Sequence, residues 1–238
     1  MKTYFLPIIL ITFSSLLYSC SKKEIELKTD DIITLHHNET YQIVAKSKTN
    51  INYSSSNLYN AEVNGTGLIT ARFVGKTTIH LQNDYDERDL QIIVEPQHHL
   101  YPQPNIEFGE SKSSIVNKYG EPTISSDDEL LYDNYGMIGF KLIVTFDENN
   151  CVKSFMVVVP TIYNEILTDF LTERYMYIGY QNQILIFING LTTADATMAI
   201  GAKLFSTEYW IITHIPIKDS KSAFPDDTTL NQITSILK

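Results

Sequence analysis

Two cysteines in 238 residues are too few for a disulfide-stapled fold, so stability has to come from packed apolar side chains. Basic residues are scarce as well. Lys and Arg total 18 against 28 Asp and Glu, a formal charge of −10, and they do not cluster, which argues against nucleic acid as a partner. No glycine-rich phosphate loop, nucleophile elbow or zinc-protease helix occurs. His98 and His99 fall in a connector and His80 and His214 in strands, so a metal site would need distant partners. The expectation is therefore no catalytic residue, no metal and no cofactor. Length, by contrast, is sufficient for one large or two small domains with real cores.

The N-terminal segment has Lys2, then an apolar stretch over 4–17 broken by Thr12, Ser14 and Ser15. It is too short and interrupted for a membrane span. It ends in Leu17-Tyr18-Ser19-Cys20, and with its basic start and small residue before the cysteine it resembles the lipobox of a bacterial lipoprotein signal. The resemblance implies that residues 1–19 are removed, that residues 20–24 form the anchor, and that Cys20 carries two or three acyl chains. At about 0.8 kcal/mol per buried methylene these would hold the protein durably on the outer membrane, at the cell surface or on its periplasmic face. Cys151 then lacks a partner. It sits in a predicted hairpin turn with no histidine nearby in sequence to act as a base, and reads as incidental.

Residues 25–95 show short alternating segments with turn residues between them, an all-β pattern. Strands are predicted at 25–28, 32–35, 40–45, 51–54, 61–63, 68–73, 77–81 and 90–94, enough for a sandwich. The wording Tyr53-Ser54-Ser55-Ser56-Asn57, then Ala61-Glu62-Val63, Gly67-Leu68-Ile69-Thr70-Ala71 and Gly75-Lys76-Thr77-Thr78-Ile79 resembles the group 2 bacterial immunoglobulin-like domain. Tyr53 stands where that family often has tryptophan. Gly67 and Gly75 are expected at positive φ, and Val63, Leu68, Ile79 and Ile92 in the core. The acidic group Asp84, Asp86, Glu87 and Asp89 lacks the glycine-centred spacing of a calcium loop and reads as a solvated hairpin tip. His36 and His37, adjacent in sequence, point to different sides of the chain and do not suggest a shared metal.

Residues 96–104, with three prolines, read as a stiff connector holding two domains apart. Over 105–238 a helix is predicted at 111–119, capped by Ser111 and stopped by Gly120-Glu121-Pro122. Strands follow at 130–132, 139–146 and 152–159. A second helix over 161–174 precedes strands at 184–188, 197–205 and 209–215, and the tail from Asp226 carries Leu230, Ile233, Ile236 and Leu237 in helical register behind an acidic N-cap, so it is expected to dock as a third helix. Two helix-plus-three-strand units, an internal duplication, would share one antiparallel sheet with helices on one face. The predicted fold is thus an all-β immunoglobulin-like sandwich followed by an α+β domain. The first unit, from Phe108-Gly109-Glu110-Ser111 through Ile115 to Pro122, is similar to small lipoproteins of the outer-membrane barrel-assembly machinery, and the tandem to β-lactamase-inhibitor proteins. The whole arrangement resembles uncharacterised lipoproteins of Bacteroidetes.

Aromatics are the remaining lead. Tyr175, Tyr177, Tyr180, Tyr209 and Trp210 are candidate binding residues, because flat rings exposed on a sheet stack on sugars or anchor a protein. Asp169 and Glu173, one helical turn apart, read as a solvated face, and His214 as a satisfied or half-exposed strand residue. The expectation is a non-enzymatic envelope lipoprotein that binds glycan or protein. The alternative is a periplasm-facing accessory or inhibitor of envelope assembly.

Overall fold

A computed structural model describes residues 24–217. Cys20, the segment before it and the tail from Asp226 lie outside the described residues. The chain is β-rich. Its first part holds β1 (Glu26–Leu27), β2 (Ile32–His36), β3 (Thr40–Gln42), β4 (Ala45–Lys46), β5 (Asn52–Ser55), β6 (Ala61–Val63), β7 (Leu68–Ala71), β8 (Gly75–Gln82) and β9 (Glu87–Glu95). One sheet runs β2-β9-β8-β5, a second β3-β7-β6, and β1 pairs with β4. Only the β2–β9 pairing is parallel among these. The result is an immunoglobulin-like sandwich.

Period-two alternation builds its core. Thr77, Ile79 and Leu81 of β8 and Leu90, Ile92 and Val94 of β9 point inward, and each large aliphatic side chain buried this way contributes roughly 1.5–3 kcal/mol. One register expectation is corrected. In β7 it is Ile69 and Ala71 that are buried, while Leu68 is half-buried, because a one-residue step along a strand moves a side chain to the other face; Val63 of β6, paired with Ile69, packs against the core as expected. The Ser-Ser-Asn turn is held by Thr77, whose Oγ1 accepts from the Asn57 backbone N–H at 2.9 Å and exchanges hydrogen bonds with the hydroxyls of Ser55 and Ser56 at 3.1 Å. Gly67 and Gly75 have φ of 79° and 146°.

The second part comprises α1 (Lys112–Tyr119), β10 (Ile124–Ser125), β11 (Glu129–Asp133), β12 (Lys141–Phe146), β13 (Val152–Pro160), a 3-10 turn (Thr161–Tyr163), α2 (Asn164–Thr172), β14 (Met176–Gln181), β15 (Ile184–Ile188), β16 (Met198–Leu204) and β17 (Tyr209–Pro216). The strands form one eight-stranded antiparallel sheet in the order β10-β11-β12-β13-β17-β16-β15-β14. Each helix is followed by a four-strand meander, and the two meanders join through their last strands. The short β10 and the edge strand β14 were not expected from the sequence. In α1, Ser111 Oγ accepts from the Ser114 N–H, and Gly120 at φ 83° donates back to the Val116 carbonyl, so the expected stop is present.

Both helices pack on one face of this sheet. Ile115 of α1 and Leu167, Phe170 and Leu171 of α2 share a core with Leu142, Val144, Phe155, Val157, Phe187, Ile200 and Ile212. The other face carries Leu131, Ile143, Met156, Val158 and Ile211. The segment expected as a spacer is instead packed down. Leu100 and Tyr101 are buried in the helix-side core, and the backbone N–H groups of Gln97 and His98 donate to the Glu173 carboxylate at 2.9 and 3.1 Å.

Candidate binding surface

Of the five aromatic candidates, the structure brings two together at the surface. Tyr177 and Tyr180 lie on the edge strand β14, 47% and 64% exposed. Residues three apart on a regular strand face opposite ways. Here the register slips between Tyr177 and Gly179, a bulge that Gly179 accommodates at φ 152°, and both rings emerge on the helix side of the sheet. Tyr177 sits across from Phe187, edge to face at 5.4 Å, and Tyr180 across from Leu185. Beyond Tyr180 the turn residues Asn182 and Gln183 adopt φ of 50° and 63°, and this tight hairpin presents the exposed amides of Gln181, Asn182 and Gln183 next to the rings.

The remaining three aromatics go elsewhere. Tyr175 is a correction: it is buried, its hydroxyl accepts from Gln103 Nε2, and burial pushes its pKa up to about 12, so it cannot meet a ligand. Trp210 packs half-buried against the helix-side core and donates from Nε1 to Asn164 Oδ1. Its cross-strand neighbour Leu204 is exposed. Tyr209 packs on the opposite face, against the second set of buried residues, and takes no part in the surface.

The strand that carries the two tyrosines starts directly after a buried joint between the sandwich and the large sheet. Glu173 is another correction: its side chain is 3% exposed and paired with Arg174, rather than part of a solvated face. Burial alone would raise its pKa, but the Gln97 and His98 backbone N–H groups and the Arg174 guanidinium outweigh it and hold the carboxyl below its usual range. Arg174 also lies 3.8 Å over the Phe170 ring and donates to the His98 carbonyl at 3.1 Å. From the sandwich, Tyr59 stacks on Phe73 at 4.5 Å and donates to the Arg174 carbonyl at 2.6 Å, while Val74 N–H donates to the Glu173 carbonyl at 2.9 Å. Sequence reasoning missed this joint, whose partners lie far apart in the chain.

His214 is a third correction. It is fully buried, stacked on Phe155 at 4.4 Å, and neither ring nitrogen makes a hydrogen bond. Desolvation drives its pKa down to about 3, which the nearby Phe155 and Ile212 backbone offsets only in part, so it stays neutral and inert. Asp86 and Asp89 are occupied by Arg88 and His80, with Asp86 also accepting from the Ile25 N–H at 2.8 Å. Cys151 is half-exposed in a bridge to Ser111. Among the described residues no group of three or more His, Cys, Asp and Glu is placed to hold a metal, and no helix is long and apolar enough to cross a membrane.

No family model matches the chain, and no curated protein is similar to it. Solved structures that align with it include domains 5–6 of the S-layer protein SbsC, at 10% identity over 83% of this chain and 87% of that one, with a TM-score of 0.25. A second, domains 4–9 of the same surface-layer protein, aligns at 11% identity over 84% of this chain and 27% of that one, with a TM-score of 0.26. Similarity at that level carries no argument about function.

Proposed function

We propose that this chain is a bacterial envelope lipoprotein, acylated at Cys20 and anchored on the outer membrane, that binds glycan or protein without catalysis. In this reading a group 2 immunoglobulin-like module carries a tandem α+β domain, the product of an internal duplication, and presents its binding face. The observation that carries the reading is the pair of exposed rings, Tyr177 and Tyr180, turned to one side by the bulge. Rings beside the amides of Gln181, Asn182 and Gln183 suit a sugar, which stacks on aromatic faces and hydrogen-bonds to amides. The test is glycan and protein array binding by the native chain and a Tyr177→Ala/Tyr180→Ala variant. Loss of about tenfold or more in affinity, at unchanged melting temperature, is the expected result. A native chain that binds neither array would sink the proposal.

A specific observation favours the second reading. Ile162, just before α2, and Ile166, one helical turn on, are 82% and 38% exposed, and neighbouring bare aliphatic side chains suit a protein partner. Protease treatment of intact cells divides the two: loss of residues 105–238 supports surface display, while protection until the outer membrane is breached supports an accessory of envelope assembly.

A further inference from the structure

We infer that the face of the large sheet turned away from the helices is an internal docking surface for residues 226–238 of the same chain. Leu131, Ile143, Met156, Val158 and Ile211, on the four adjacent strands β11, β12, β13 and β17, are between 0 and 2% exposed. Ser154 and Thr213 on the same face are 3% exposed. In-sheet neighbours flank a side chain but leave its tip in water. Burial this complete therefore needs a cover, and among the described residues both helices lie on the other face and only Phe205 and Tyr209 pack at its margin.

The segment after Ile217 meets the requirement. It leaves β17, one of the four strands to be covered. Leu230, Ile233, Ile236 and Leu237 recur at helical spacing with Asn231, Gln232, Thr234 and Ser235 between them, which gives one apolar stripe and one polar side. A helix over 227–238 would be about 18 Å long, and four strands span about 15 Å. Residues 218–225 supply ample chain to turn back onto the face. Docked there, the segment makes the sheet the middle of three layers, apolar on both sides.

The test uses the full chain with Cys20 and Cys151 replaced by serine. In a Met156→Cys variant, the thiol is expected to resist an alkylating reagent. Adding Ile233→Asp and Leu237→Asp is expected to raise its labelling rate at least a hundredfold, whereas Gln232→Asp on the polar side leaves it unchanged. Equal protection with and without the two aspartates overturns the inference, as does a thiol that labels freely in both. Should the aspartate variant not fold, the pair Met156→Cys/Ile233→Cys decides. An intramolecular disulfide on mild oxidation supports the contact, and its absence, or a disulfide that forms only between two chains, overturns it.

Discussion

Buried polar side chains without partners are the costly residues of this molecule, and His214 is the clearest. A histidine whose folded pKa lies near 3, below its unfolded value near 6.5, must be deprotonated for the chain to fold. The folded state then binds fewer protons, so full stability is present above about pH 6.5 and about 1.4 kcal/mol is lost per unit as pH falls from there towards 3. Replacing His214 with Leu removes both the titration and two unsatisfied ring nitrogens. The variant is expected to be at least as stable as the native chain at pH 7.5, with an advantage growing by about 1.4 kcal/mol per unit between pH 6.5 and 4.5, read from urea unfolding at several pH values. Parallel pH profiles for the two proteins would refute this. Glu173 acts in a lower window: its depressed folded pKa gives a contribution present above the ordinary carboxylate range and lost as pH falls through the depressed value. Glu173→Gln strips the largely enclosed Arg174, 11% exposed, of its carboxylate partner, and a loss of roughly 3 kcal/mol at pH 7 is expected in the same assay. Neither residue's state could be read from the sequence. A strand histidine reads as satisfied or half-exposed and a helix-end glutamate as solvent-facing until the segments stacked on them, Phe155 in one case and Gln97-His98 in the other, are in place.

At the scale of elements, sequence legibility followed regularity. The strands of the sandwich were readable because alternation, turn glycines and the Ser-Ser-Asn wording agree. The edge strand β14 was not, since Met-Tyr-Ile-Gly-Tyr-Gln breaks the period of two at its bulge and contains a glycine that reads as a stop. That same irregularity sets Tyr177 and Tyr180 side by side, so the candidate surface was legible as a set of residues but not as an arrangement. The turn between β5 and β6 shows how tightly a readable motif can constrain its neighbours. Asn60 donates to the Phe73 and Val74 carbonyls at 3.2 and 3.1 Å, and a Cβ added at Gly75 would fall 2.3 Å from its Nδ2 at a φ of 146°. Gly75→Ala therefore combines a strained backbone with displacement of a buried amide. A loss of about 2–4 kcal/mol is expected, checked by thermal unfolding, whereas Gly65→Ala, with nothing within 4 Å, is expected to be neutral to within about 0.5 kcal/mol.

Across the whole molecule the joint decides how the candidate surface is held. Residues 96–104 read as a spacer because proline and polar residues dominate them, yet Leu100 and Tyr101 are core residues of the large sheet. The sandwich reaches over to the same place through Tyr59, Phe73 and Val74. Glu173 and Arg174, which receive these contacts, are separated from β14 only by the buried Tyr175, so the strand bearing Tyr177 and Tyr180 is fixed at its start to the sandwich as well as to its own sheet. Two cores linked by buried hydrogen bonds and an ion pair are expected to melt together. Calorimetry on the native chain should show one transition. Tyr59→Ala removes the stack and the 2.6 Å hydrogen bond without touching either core, and should split that transition in two, with amide exchange at Val74 accelerating towards that of an open loop. If the proposed surface works as argued, ligand affinity in this variant falls while each half remains folded, because the sandwich no longer braces the start of β14. A native chain that already melts in two steps, or a Tyr59→Ala variant that melts in one with Val74 still protected, would show that the contacts lie at the junction without coupling the halves.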